Sequence, residues 1–263
     1  KKLKFLSLIS ACVVLLFSCE KEELLSPEFQ TRTTASSERI ATDDQLDSAA
    51  SLHNLYASMA ISSIDYSTSN FSTELYEVFD SIGVSEFGYN NEEIESFLIN
   101  PDSNYTIIDN NIENTLVTSI INNVRVYFTQ DTSLSYSDIH NYISDKIDYA
   151  YATLSGSDLD IALCFLKTCD KSCYLWLPTS KGGLGAGNLF INNLDEEDVQ
   201  NLPGAVNWSL IGWADGAGAA RSLYFLWIGA AGGPIGWGAA ASAIGWSAAY
   251  ASGATLVGQL LLL

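Results

Sequence analysis

The sequence predicts an all-α protein, a helical bundle followed by a glycine-zipper-like helical hairpin. Three observations predict it. Apolar residues recur at three- and four-residue steps through residues 45–178, with little alternation of period two. Serines and acids stand ahead of several of these runs, where helices take their N-caps. The last stretch, 204–263, carries small residues four apart on an almost uncharged background, a spacing that lets helix backbones approach closely.

The first run, Leu46, Ala49, Ala50, His53, Leu55 or Tyr56, Met59 and Ala60, lies near one helical face. A Ser/Thr-rich break at 63–70 precedes a short helix from about Ser72 to Gly83, and a second short one covers 91–99 and stops before Pro101. The clearest periodicity is Ile108, Ile112, Leu116, Ile120 and Val124, with Val117, Ile121 and Phe128 beside it. Ser135 or Ser137 can cap the next helix, whose inner face is Ile139, Tyr142 or Ile143, Ile147, Ala150, Tyr151 and Leu154, with Leu134 and Ile139 as a hydrophobic staple. Gly156 breaks that run. Ser157-Asp158-Leu159-Asp160 reads as a further capping box, opening a helix through Ile161, Phe165 and Leu166 to Tyr174 that ends before Pro178. Residues 45–178 thus form a bundle of about five or six helices. A Gly-rich and acidic linker follows at 179–203, containing Lys181, the glycine run to Gly187 and the acids 195–198.

The N-terminal end is of another kind. Lys1-Lys2-Leu3-Lys4 is basic, and residues 5–17 run apolar up to Ser18-Cys19, the order of a secretory leader. About 13 apolar residues are too few to span a bilayer, which takes about 20. Leu16-Phe17-Ser18-Cys19 resembles the lipobox of bacterial type II signal peptides. That resemblance implies removal of 1–18 as a lipoprotein signal peptide and lipidation at Cys19. Glu20-Lys21-Glu22-Glu23 is similar to the export signal of Bacteroidota-type surface lipoproteins, which implies an outer-membrane anchor facing outside. Residues 19–44 then read as a lipidated, flexible tether.

Removal of 1–18 with its three lysines takes the formal charge from −19 to −22 over 245 residues. A chain so acidic repels phosphate backbones, which excludes nucleic acid as a partner. Cys164, Cys169 and Cys173 remain after the leader and Cys19 are set aside. In an oxidising compartment the odd count allows one disulfide plus a spare thiol, but cysteines four apart on one helix seldom meet disulfide geometry, and structural or spare thiols are the preferred reading. The two histidines supply no metal set and no cofactor is implied. His53 sits on an apolar face as a core histidine, and His140 on a polar one. Lys181 precedes its glycines, so the phosphate-loop spacing is missing. No pairing of Ser or Cys with His stands out, and the chain reads as a non-enzyme.

The hairpin of 204–263 carries the unusual signal. Ile-Gly-Trp occurs at 211–213, 235–237 and 244–246, and only Asp215 and Arg221 are charged. Gly212 and Gly216, Gly229 and Gly233, Ala241 and Gly245, and Ala249 and Gly253 make rows of small residues for helix packing. Gly232-Gly233-Pro234 divides the tail into helices of about 205–230 and 235–258, each long enough to cross a bilayer. Trp208, Trp213, Trp227, Trp237 and Trp246 are candidates for a membrane interface. Asp215 and Arg221 oppose insertion, at about 2.5–3.5 kcal/mol each at a bilayer centre. The tail resembles two-peptide bacteriocins, and Asp198-Val199-Gln200-Asn201-Leu202-Pro203-Gly204-Ala205 is similar to their double-glycine leaders. The resemblance implies a membrane-active module and cleavage near Gly204, although such leaders stand at the N-terminus of a short precursor and this one is internal. Three roles therefore stand side by side: a hairpin packed on the bundle, a membrane-inserting module, and a surface for assembly with other copies as a homo-oligomer.

Overall fold

Capping chemistry sets where the first described helix begins. In the computed structural model, which describes residues 39–64, 112–193, 206–229 and 237–261, the Thr42 side chain accepts from the Gln45 N–H and the Gln45 side chain accepts from the Thr42 N–H. This reciprocal box opens α1 (Asp43–Ser63). The expected tether of 19–44 therefore ends earlier than its composition suggests. The helices expected at 72–83 and 91–99 lie outside the described residues.

In α2 (Thr115–Gln130) the Asn114 side chain accepts from the Leu116 N–H, and the buried stripe is Val117, Ile120, Ile121, Val124 and Phe128. Ile112 is buried just ahead of the helix, while Leu116, expected in the stripe, is 40% exposed. Ser135 and not Ser137 caps α3 (Tyr136–Thr153), with Asp138 closing the box. Leu134 and Ile139 are both buried, as a staple requires. Tyr151 departs from expectation and is exposed.

The expected box at 157–160 does not form. Ser155 occupies the N-cap position of α4 (Gly156–Trp176) without a side-chain bond to the helix. Asp158 instead accepts from Asn114 Nδ2 at 2.7 Å. Fully buried Asp160 accepts from Arg39 Nε at 2.6 Å and from the backbone N–H groups of Ile40 and Ala41. Both carboxylates join separate segments where they could have closed their own turn. Every residue of α4 from Leu159 to Leu166 is buried, the mark of a helix surrounded on all sides.

The expected linker at 179–203 is also corrected in its first half. A 3₁₀ turn (Thr179–Lys181) leads through Gly182 and Gly185, both at positive φ, into α5 (Ala186–Asn193). Gly183 lies so close to Leu177 that a Cβ there would sit 2.7 Å from the Leu177 Cβ. These glycines make a tight reversal and do not form a flexible spacer.

The hairpin helices are α6 (Trp208–Gly229) and α7 (Trp237–Leu261), and residues 230–236 between them lie outside the described residues. Helix α4 is the axis, packed by α1, α2, α3, α5 and α6; α6 also meets α2 and α7, and α7 returns onto α1. Seven α-helices and no strand occur among the described residues. The chain from Arg32 to Leu263 is one compact unit, so the hairpin of 204–263 shares a core with the bundle of 45–178.

Candidate functional site

Residues 211–220 of α6 are buried without interruption, Asp215 among them. A buried carboxylate must have its lone pairs satisfied or the fold loses several kcal/mol. Three donors and an imidazole nitrogen, from three other helices, meet it. From α4, the Ser172 hydroxyl and Trp176 Nε1 (3.2 Å) donate to Oδ2. From α7, the Ser252 hydroxyl donates to Oδ1. From α1, His53 Nε2 lies 3.0 Å from Oδ2, both side chains being 0% exposed. On the far side of the imidazole, His53 Nδ1 is 2.8 Å from Asn54 Oδ1, and Asn54 Nδ2 donates to the Lys171 carbonyl at 3.0 Å.

Glycine makes this approach possible. A Cβ on Gly216 would sit 2.7 Å from the Phe165 carbonyl and inside contact distance of Cys169 Sγ. One on Gly212 would press on Cys173, and one on Gly245 would lie 2.9 Å from the His53 N and 3.0 Å from the Ala49 carbonyl. Gly212 and Gly216 thus bring α6 onto α4, and Gly245 brings α7 onto α1. The α6–α7 contact itself uses Gly218, absent from the four-residue rows, where an added Cβ would sit 2.7 Å from the Ser247 carbonyl. Gly253 is buried, whereas Gly233 and the surroundings of Gly229 lie outside the described residues.

Asp, His and Ser in one cluster suggest a hydrolytic triad, but the geometry differs. The imidazole offers one and the same nitrogen, Nε2, to the carboxylate and to Ser252 Oγ (3.3 Å), and the serine proton goes to the carboxylate. A nucleophilic serine needs its proton taken by the imidazole and a path to substrate. Ser252, His53 and Asp215 are all 0% exposed, so the cluster is closed to solvent.

A smaller cluster lies at the surface. His140, half exposed, directs Nδ1 to both Asp170 oxygens at 3.0 and 3.1 Å, and the Tyr136 hydroxyl donates to the same carboxylate at 3.3 Å. Burial, with Asp170 adding to it, pushes the Tyr136 phenol well above its usual range. Among the described residues no group of His, Cys, Asp and Glu could hold a metal ion.

Cys164, Cys169 and Cys173 are free and buried, in line with structural thiols and not with the possible disulfide. All three ride on α4, and the sulfurs of Cys169 and Cys173 fill the notches over Gly216 and Gly212. Burial raises all three thiols above their ordinary range. The tryptophans expected at a membrane interface are used differently: Trp208 stacks on Trp176 with centroids 6.0 Å apart, Trp213 donates to the Ile121 carbonyl at 3.0 Å, and Trp246 meets Tyr56 edge-on. All three are in the core, and Trp237 packs partly buried against it. The Trp227 side chain and Cys19 lie outside the described residues.

Sequence reasoning found His53 as a core residue and Asp215 as an anomaly, but did not join them. Ser172, Asn54 and Ser252 carry no signal of their own, being common polar residues distant in sequence. No helix among the described residues is long and apolar enough to cross a membrane. No protein-family model matches the chain, and none of the curated proteins or solved structures compared with it matches either.

Proposed function

We propose that this chain is a lipid-anchored protein of the cell envelope, held through Cys19 and facing outward, whose C-terminal hairpin serves as the core of its own helical bundle. The anchor rests on the leader and lipobox of residues 1–19. The structural role of the hairpin is carried by one observation: Asp215, the only acid of the tail, has all its partners on α1, α4 and α7. Inserting α6 in a bilayer would break those bonds and carry the carboxylate into hydrocarbon.

The membrane-active reading keeps its support in the near-uncharged composition of 204–263 and the repeated Ile-Gly-Trp. Vesicle dye release by the full chain separates the two. The proposed role expects no leakage and tryptophan emission already blue-shifted without lipid. Leakage that Gly245→Ile abolishes would overturn it. For the anchor, alkyne fatty-acid labelling of cells should mark the wild type and not Cys19→Ala, and protease shaving of intact cells should degrade it. Equal labelling of both chains would end the lipoprotein assignment.

A further inference from the structure

We infer that His53 and Asp215 share one proton as a buried imidazolium–carboxylate pair, a proton lock that holds the C-terminal hairpin onto α1 and α4. This goes beyond the anchoring role and does not depend on it.

Hydrogen-bond complementarity carries the inference. Asn54 Nδ2 donates to the Lys171 carbonyl, which fixes the amide so that its oxygen faces His53 Nδ1. Nδ1 must therefore donate. At the other side of the ring, Nε2 faces Asp215 Oδ2 and the Ser252 oxygen, whose own proton is given to Asp215 Oδ1. Nε2 thus faces acceptors alone and must donate too. A neutral ring with the proton on Oδ2 would make that oxygen a hydroxyl while Ser172 and Trp176 both donate to it, and one with the proton on Oδ1 would leave a bare Nε2 3.0 Å from the bare Oδ2. An ionised Oδ2 suits those donors better.

Helix α4 brings the thiols of Cys169 and Cys173, kept neutral by burial, beside Ser172 and Trp176, and its Asp170 carboxylate acts electrostatically on both thiols. Helix α7 brings Ser252, and α2 brings Arg125, whose guanidinium lies 5.8 Å from the Trp213 ring centroid. Removing the shared proton would leave a lone pair on Nε2 against a carboxylate, sealed from water, at the point where α1, α4, α6 and α7 meet. The lock then opens and the hairpin loosens from α1 and α4.

The chain has only two histidines, so histidine-selective ¹⁵N NMR reads the state directly in the full chain. With His140→Gln, His53 is the sole imidazole. The expected spectrum of the folded chain shows N–H on both ring nitrogens of His53, whereas a neutral imidazole carries one. Asp215→Asn, which removes the carboxylate, should leave a single N–H, with a fall in melting temperature and a red shift of tryptophan emission. A single N–H with one bare ring nitrogen in the parent chain would overturn the shared proton. Loss of the second N–H with unchanged melting temperature would overturn the lock. His53→Gln should lower the melting temperature as well; an unchanged one would count against the proposal equally.

Discussion

At the scale of single residues, the molecule depends on what fills the spaces between backbones. Gly216→Ala forces a methyl against the Phe165 carbonyl, which is backbone and cannot swing aside. It should cost about 1–3 kcal/mol in denaturant unfolding, as overpacking does. Gly238→Ala is the control, since nothing lies within 4 Å of its added Cβ, and it should stay within about 0.5 kcal/mol of wild type. Asp215→Ala should cost about 3–5 kcal/mol, because it strands His53, Ser172 and Ser252 in the core. The thiols give a chemical readout: with burial holding Cys164, Cys169 and Cys173 protonated, none should react with iodoacetamide in the native chain and all three should in denaturant. Native labelling of any of the three would contradict their burial. Small-residue spacing revealed the importance of Gly212, Gly216 and Gly245, but not the helix each one faces. Periodicity marks a face; only the three-dimensional arrangement names what covers it.

At the scale of elements, α4 explains both what the sequence shows and what it hides. Its periodic positions and its stop before Pro178 were readable, and so was the cap at Ser135 that starts α3. What was not readable is that α4 has no polar face between Leu159 and Leu166, because a helix enclosed on all sides has no contrast for a pattern to display. The sequence therefore divides a soluble bundle at 178 from a tail at 204, whereas the packing of α6 on α4 joins them. A chain ending at residue 193 should accordingly expose Phe165, Cys169, Cys173 and Trp176. It should bind the dye ANS and melt without cooperativity while remaining helical. Sharp, cooperative melting of that fragment would show that α1 to α5 suffice. The capping box misread at 157–160 follows the same logic: Asp158 and Asp160 have the right spacing for a cap, and tertiary partners at Asn114, Arg39, Ile40 and Ala41 outcompete it.

At the scale of the whole molecule, a strongly acidic chain carries a hairpin with almost no charge, and Asp215 with its four partners joins the two. The hairpin is part of the one compact unit from Arg32 to Leu263, and not a module stored against it. Native-state hydrogen exchange of the full chain, followed by mass spectrometry across increasing denaturant, tests this most directly, since cooperative units exchange together. Peptides from α6 and α7 should be protected as strongly as those from α4, and all three should lose protection in a single global transition. Exchange of α6 and α7 in a separate, lower-energy opening while α4 stays protected would contradict it.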